Sequence, residues 1–304
     1  MKMKRIFKIA LFTVLTLMLV ACSGGGSNGG NGGGGKKTIA NDDVMALHLT
    51  VPEGFDSVER YSEADVDGKI IEKDLVFNYG AEEAVTIGFM PGQHLAEMTN
   101  VENLEQYEIN GFTVYRFNSG SDVMGFIQNG DDLYVVDMSM KEPDDGSKLK
   151  ELMGSVSFTN TTTTIMDEAS YEEVNYQLDE DHKVYSTSVR VIEDPEGNLL
   201  EKNVVWHYGT SEKEDFSFSI RVYKNKKYED VLDENSTYED VEINGITYKA
   251  YVSSANDPYY SFTTEQNGDV YNVRNNGDTS GWFASRSAES YECFNKFINS
   301  ISYK

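Results

Sequence analysis

The sequence predicts an α+β fold: two tandem repeats of a twisted antiparallel β-sheet, each covered by a C-terminal helix. Three observations carry this. Several segments alternate apolar and polar residues with the period of a strand, as in "FSFSIRV", where Phe216, Phe218, Ile220 and Val222 share one face. Asn-Gly pairs at 110, 129, 244 and 267 sit between such segments and signal tight hairpins. Each half closes on a short helical stripe, Leu149, Leu152 and Met153 in the first and Tyr291, Phe294, Phe297 and Ile298 in the second.

The repeat itself is legible in four blocks that recur in order. "GKIIEKDLVFNYG" (68–80) aligns without a gap with "GNLLEKNVVWHYG" (197–209), and "EINGFTVY" (108–115) with "EINGITYK" (242–249). "QNGD" recurs at 128 and 266, and "MGSVSF" (153–158) matches "INSISY" (298–303). Matched order over a unit of ordinary domain size reads as a tandem duplication. The expected organisation is residues 1–21 as a signal, 22–41 as a tether, 42–160 as the first repeat and 161–304 as the second. The boundary falls in the threonine-rich "TNTTTTIMDEAS".

At the N-terminal end, Lys2, Lys4, Arg5 and Lys8 form a basic head, and residues 9–20 run without a charge. That run falls short of the ~20 residues of a membrane span and has the proportions of a secretory signal. Leu19-Val20-Ala21-Cys22 resembles the lipobox of bacterial lipoprotein precursors. The resemblance implies cleavage before Cys22, a diacylglyceryl thioether on its sulfur, and palmitate-type acyl chains that anchor the protein. Each buried methylene contributes ~0.8 kcal/mol, so two or three chains would anchor it firmly. "SGGGSNGGNGGGG" follows, with no apolar side chain to pack, as a flexible tether.

Loss of residues 1–21 takes four of the 26 basic residues and none of the 51 acidic ones, leaving 22 − 51 = −29. Such a charge excludes nucleic acid as a partner, since phosphate contacts need a basic surface. It also disfavours direct adhesion to anionic lipid, so the acyl anchor must do that work. With Cys22 lipidated, only Cys293 remains and no intramolecular disulfide can form. An exported chain without disulfides favours a Gram-positive surface, on the extracytoplasmic face of the cell membrane.

"VPEGF" (51–55), "INGFTVYRF" (109–117) and the closing "LMGSVSF" (152–158) resemble, at the level of fold, the PsbP-like proteins. That family includes photosystem accessory proteins and many bacterial lipoproteins. The resemblance implies an adaptor or envelope-accessory role and supplies no catalytic residues.

Candidate chemistry is sparse. "EADVDGKIIEKD" (63–74) has the outline of a calcium loop, with Glu63, Asp65, Asp67 and Asp74 as ligands and a glycine sixth. Its counterpart "IEDPEGNLLEKN" (192–203) keeps the glycine turn but has Ile192 and Asn203 at the end positions. A hairpin turn is the preferred reading, and a weak calcium site the alternative; no other cofactor is expected. His48, His94, His182 and His207 show no ligand spacing, and Cys293 has no histidine near it in sequence, so it reads as a packing residue. "SKLK" (147–150) lacks the companion motifs of serine acyltransferases and reads as a solvated helix face. Trp206, in a repeated strand, reads as core. Aromatics of the unshared stretches "DPYYSF" and "DTSGWF", Tyr259, Tyr260, Trp282 and Phe283, are the candidate contacts for a partner, or pack on their own sheet.

The function expected is therefore a non-catalytic, membrane-anchored surface lipoprotein, a binding or envelope-accessory module with an envelope protein or glycan as partner. The alternatives are an enzyme acting on cell-wall or glycan material and a transporter-associated solute binder.

Overall fold

The computed structural model describes residues 46–80, 83–98, 104–119, 122–139, 147–158, 169–210, 213–251, 261–277 and 288–304. The chain separates into two compact units. The first comprises residues 1–59 and 72–165, the second residues 60–71 and 166–304.

In the first unit, six antiparallel strands lie in the order β3-β4-β8-β7-β6-β5. They span Ile70–Tyr79 (β3), Glu83–Met90 (β4), Glu105–Ile109 (β5), Phe112–Ser119 (β6), Asp122–Asn129 (β7) and Asp132–Ser139 (β8). The chain enters β3 from strand β2 (Ser57–Asp65), and a short pairing joins β1 (Leu47–His48) to β9 (Ser157–Phe158). Register follows the apolar alternation: Phe77 opposes Val85 and Ile87 opposes Val136, which places Phe77, Val85, Ile87 and Val136 in the core. Among the described residues of this unit, two segments are helical, α1 (Leu95–Met98) and α2 (Ser147–Met153). Leu149, Leu152 and Met153 of α2 are buried. The helix approaches β7 where Gly125 leaves space, for a Cβ there would meet Val114 at 3.3 Å and Leu149 at 3.5 Å.

In the second unit the order is β14-β15-β16-β17-β13-β12-β11. These are β11 (Val184–Glu193), β12 (Leu199–Thr210), β13 (Lys213–Tyr223), β14 (Tyr238–Ile243), β15 (Ile246–Tyr251), β16 (Ser261–Gln266) and β17 (Asp269–Gly277). A two-residue pairing joins β10 (Val174–Asn175) to β18 (Ser302–Tyr303), and α3 (Tyr228–Val231) precedes β14. Helix α4 (Ala288–Ser300) buries Cys293, Phe294, Phe297 and Ile298. Ser290 completes its buried face, and Tyr291 is only half-buried. Phe218 of β13 is the centre of this core, with ring centroids of Phe297, Phe294, Tyr208 and Phe216 at 5.6, 5.4, 5.1 and 5.2 Å. Trp206 lies against Tyr176 and Phe297 in the same core. The Tyr171 hydroxyl sits between β12 and β13, donating to the Ile220 carbonyl and accepting the Val204 N–H at 3.1 Å.

Three of the four Asn-Gly pairs turn as the sequence predicts. Asn110-Gly111, Asn244-Gly245 and Asn267-Gly268 all have positive φ at both residues, the two-residue turn that matches strand twist. At 129 the turn is displaced by one. Asn129 pairs with Asp132, so Gly130 and Asp131 form the loop, with positive φ at Gly130 alone. The Asn110 side chain donates to the Gly154 carbonyl at 2.7 Å, and that of Asn244 donates to Asn299, so each turn is latched to the end of its unit's helix.

The α+β class is not borne out. Strand accounts for 58% of the described residues and helix for 13%, so the chain is mainly β rather than a pair of helix-covered α+β repeats. The reason is length. The strands of the second unit run to 12 residues, while the apolar stripe around Leu149 supports a helix of only seven. Both faces of β13 are covered at its centre. Ser217 and Ser219 are buried at 2% and 4% exposure, small hydroxyls sunk between β12 and β17.

Candidate functional site

The acidic loop is a hairpin turn. Asp65 N–H donates to the Lys69 carbonyl and Gly68 N–H to the Asp65 carbonyl, both at 3.0 Å. The Asp65 Oδ1 accepts the N–H groups of Asp67 and Lys69 at 3.0 and 2.9 Å, the hydrogen bonds of a tight turn. The 194–198 turn repeats the pattern: Asp194 N–H donates to Asn198, Gly197 N–H to Asp194, and the carboxylate accepts the Asn198 N–H. Glu63 accepts the Tyr61 hydroxyl. Asp74 lies within β3, five strand residues beyond Lys69, which is ~16 Å of extended chain. Glu63, Asp65, Asp67 and Asp74 are therefore not brought together around one ion.

Cys22, the lipidation candidate, and the aromatic candidates Tyr259, Tyr260, Trp282 and Phe283 lie outside the described residues. Among the described residues no helix is long and apolar enough to cross a membrane.

Two other places combine shape or chemistry. The first is a cavity of about 430 Å³ in the first unit. Its apolar wall is Val51, Val85, Met138 and Leu152, all buried. Tyr79 closes one side, its hydroxyl donating to the Pro52 carbonyl at 2.7 Å, and burial pushes its pKa up to about 12. Ser155 holds the neighbouring segment in place: its hydroxyl accepts the Thr50 N–H at 2.9 Å and donates to the Leu152 carbonyl at 2.8 Å. Glu53, Glu83, Glu151 and Lys148 line the remainder, three carboxylates against one ammonium.

The second place lies in the second unit, where Asp179, His182 and Cys293 converge. Their ligand atoms all lie within 4.8 Å of one another. His182 Nδ1 is 3.1 Å from Asp179 Oδ2 and 3.2 Å from Cys293 Sγ, and its Nε2 is 2.8 Å from Glu289 Oε1. Helix α4 contributes Glu289, Cys293 and Lys296, spaced four and three apart and so on one face. The irregular segment carrying Asp179 and His182 is tied to the end of that helix, where Ser300 Oγ accepts the Gln177 N–H at 2.8 Å.

The electrostatics of this cluster are consistent with its geometry. Burial works against an ionised Asp179, yet the Asp181 N–H, the Cys293 thiol, His182 and Lys296 outweigh it and hold its pKa at about 2. The Glu289 carboxylate raises the His182 pKa, with burial opposing and Asp179 adding to the rise. Burial, reinforced by Asp179, pushes the Cys293 thiol up to about 12. A thiol so held is protonated at neutral pH, and only the thiolate attacks. In this state Cys293 and His182 do not form an activated nucleophile–base pair, although they are adjacent.

Cys293 thus has the histidine neighbour that its sequence surroundings lack. The residues are 111 positions apart, so only the docking of α4 brings them together. The Asp-x-x-His spacing at 179 and 182 was the one local signal. His207 sits elsewhere, Nε2 at 3.2 Å from Ser188 Oγ.

No family model matches the chain, and no curated protein matches it. Among solved structures it is similar to cyanobacterial PsbP (CyanoP) from Synechocystis sp. PCC 6803, at 15% identity and a TM-score of 0.28, over 44% of this chain and 98% of that one. It is also similar to the immunity protein TplEi of the T6SS of Pseudomonas aeruginosa, solved with an "L" peptide, at 8% identity and a TM-score of 0.25, over 85% and 95%. A third is MucB in complex with MucA(peri), at 8% identity and a TM-score of 0.18, over 82% and 94%.

Proposed function

We propose that the chain is a non-catalytic, membrane-anchored surface lipoprotein, and that its first unit is a binding module. The cavity bounded by Val51, Val85, Met138 and Leu152 carries this reading. Its volume lies within the roughly 300–1,000 Å³ of ordinary ligand pockets, and its apolar wall with a few polar groups at the edge suits binding. Three of its four charged residues are acidic, and the whole chain has a formal charge of −25. The occupant best matched is an apolar group attached to a cation, as on a basic segment of an envelope protein. The anchor part of the proposal rests on Leu19-Val20-Ala21-Cys22 and the glycine-rich tether that follows.

The test is a titration with a cationic apolar fluorophore and an anionic one of matched apolar area. The cationic dye should bind more tightly, and Val85→Trp, which enlarges the side chain on the face of β4 that Met138 shares, should weaken it at least ~10-fold, about 1.4 kcal/mol. Circular dichroism controls for folding. Equal affinity for both dyes, or full binding by a folded Val85→Trp variant, contradicts the proposal.

A further inference from the structure

We infer that Asp179 Oδ2, His182 Nδ1 and Cys293 Sγ form a binding site for a zinc-class divalent metal ion, with the Glu289 carboxylate orienting the imidazole from behind. The inference is independent of the cavity and rests on three features of the second unit.

The first is spacing. A tetrahedral ion with bonds of roughly 2.0–2.1 Å to nitrogen and oxygen and about 2.3 Å to sulfur sets its ligand atoms ~3.4–3.6 Å apart. The observed separations from His182 Nδ1, 3.1 Å to Asp179 Oδ2 and 3.2 Å to Cys293 Sγ, require an opening of under about half an ångström. The second is orientation. A metal-binding histidine characteristically gives its other ring N–H to a carboxylate, which fixes the tautomer. Glu289 Oε1 stands 2.8 Å from Nε2, and Asp179 Oδ2 stands 3.1 Å from Nδ1, while Cys293 Sγ lies 3.2 Å from Nδ1 and 3.9 Å from Nε2, so the sulfur must swing toward the Nδ1 lone pair to share an ion with it. The third is donor chemistry. Imidazole nitrogen with thiolate sulfur selects zinc, cobalt or a similar ion over calcium and magnesium, which take oxygen ligands.

Charge balance is also met. Thiolate and carboxylate together neutralise a dication, and neutral imidazole completes three protein ligands, with a fourth position left to water or a partner's group. Binding replaces the thiol proton, which is released to solvent, and the neutral imidazole, its proton on Nε2, binds through Nδ1. Lys296 Nζ, 3.7 Å from Asp179 Oδ2, occupies part of the same field and would be displaced from the carboxylate.

The experiment is a titration of the full-length protein with cobalt(II), followed by displacement with zinc, with calcium as the control ion. The expected result is a near-ultraviolet sulfur-to-cobalt charge-transfer band that zinc abolishes and calcium does not. Cys293→Ser should remove the band, which also separates this site from the Cys22 sulfur. His182→Ala, at a half-buried surface position, should weaken binding without unfolding the chain. Glu289→Gln should weaken it by about 10–100-fold, as loss of an orienting carboxylate does. Absence of the band, its survival in Cys293→Ser, or unchanged affinity in His182→Ala overturns the inference and leaves a hydrogen-bonded cluster.

Discussion

Phe218→Ala should destabilise the second unit by about 3–5 kcal/mol, the range for deleting a fully buried phenyl group. The ring is 0% exposed and touches four other aromatic rings from β12, β13 and α4. Few sites in this core could collapse to fill the space, because its neighbours are themselves large and fixed by edge and stacked contacts. Both tryptophans, Trp206 and Trp282, belong to the second half of the sequence. Tryptophan emission during urea unfolding therefore follows that half, and its midpoint should fall sharply in the variant. A loss below about 1 kcal/mol would mean that α4 does not rest on Phe218 as described.

The second large effect concerns Asp74 in the first unit. Its carboxyl is buried on β3, and burial, with the Glu59 charge adding, raises its pKa from 3.8 to about 7. It faces Gly88 across the β3–β4 pairing, where a Cβ would stand 2.9 Å from Asp74 Oδ1, so only glycine leaves room for the carboxyl. The folded state holds this proton up to about pH 7, whereas the unfolded chain releases it near 3.8. Between those values the folded state binds more protons, so stability falls as pH rises through the window and stays low above it. The full contribution is present only below the unfolded value. A shift of this size corresponds to a few kcal/mol at most, roughly 1.4 per unit. Asp74→Asn keeps the shape of the neutral acid and cannot ionise. It should raise the urea midpoint above the wild-type value at pH above about 7, and the two should converge near pH 4. Parallel pH profiles for the two proteins would refute the assignment.

Local features of the sequence transfer well to the structure, and long-range ones do not. The Asn-Gly turns at 110, 244 and 267 are legible because positive φ at two successive residues is a local demand that these residues meet. Phe216, Phe218, Ile220 and Val222 are legible as core because their spacing matches the pleat. The burial of Ser217 and Ser219 is not, since a small hydroxyl in a strand reads as a wet position until its neighbours are known. The α+β class fails for a related reason: the stripe at Leu149 marks a face to be buried by a short helix but says little about how far strand outweighs helix in the unit. The Asp179–His182–Cys293 cluster is the clearest case. Its members are separated by most of the second unit, and neither the cysteine nor the histidine carries a local signature that points to the other. The acidic loop is the converse case: four carboxylates close in sequence, which the expected hairpin spreads over β2, its turn and β3.

Anchoring is the central claim, and the mass of the membrane-extracted protein tests it most directly. Detergent-extracted chain should begin at Cys22, carry a diacylglyceryl thioether with further acyl mass on that residue, and leave the membrane fraction when Cys22 is replaced by alanine. An unmodified chain that retains residues 1–21, or a Cys22→Ala variant that stays in the membrane fraction with normal processing, would contradict it.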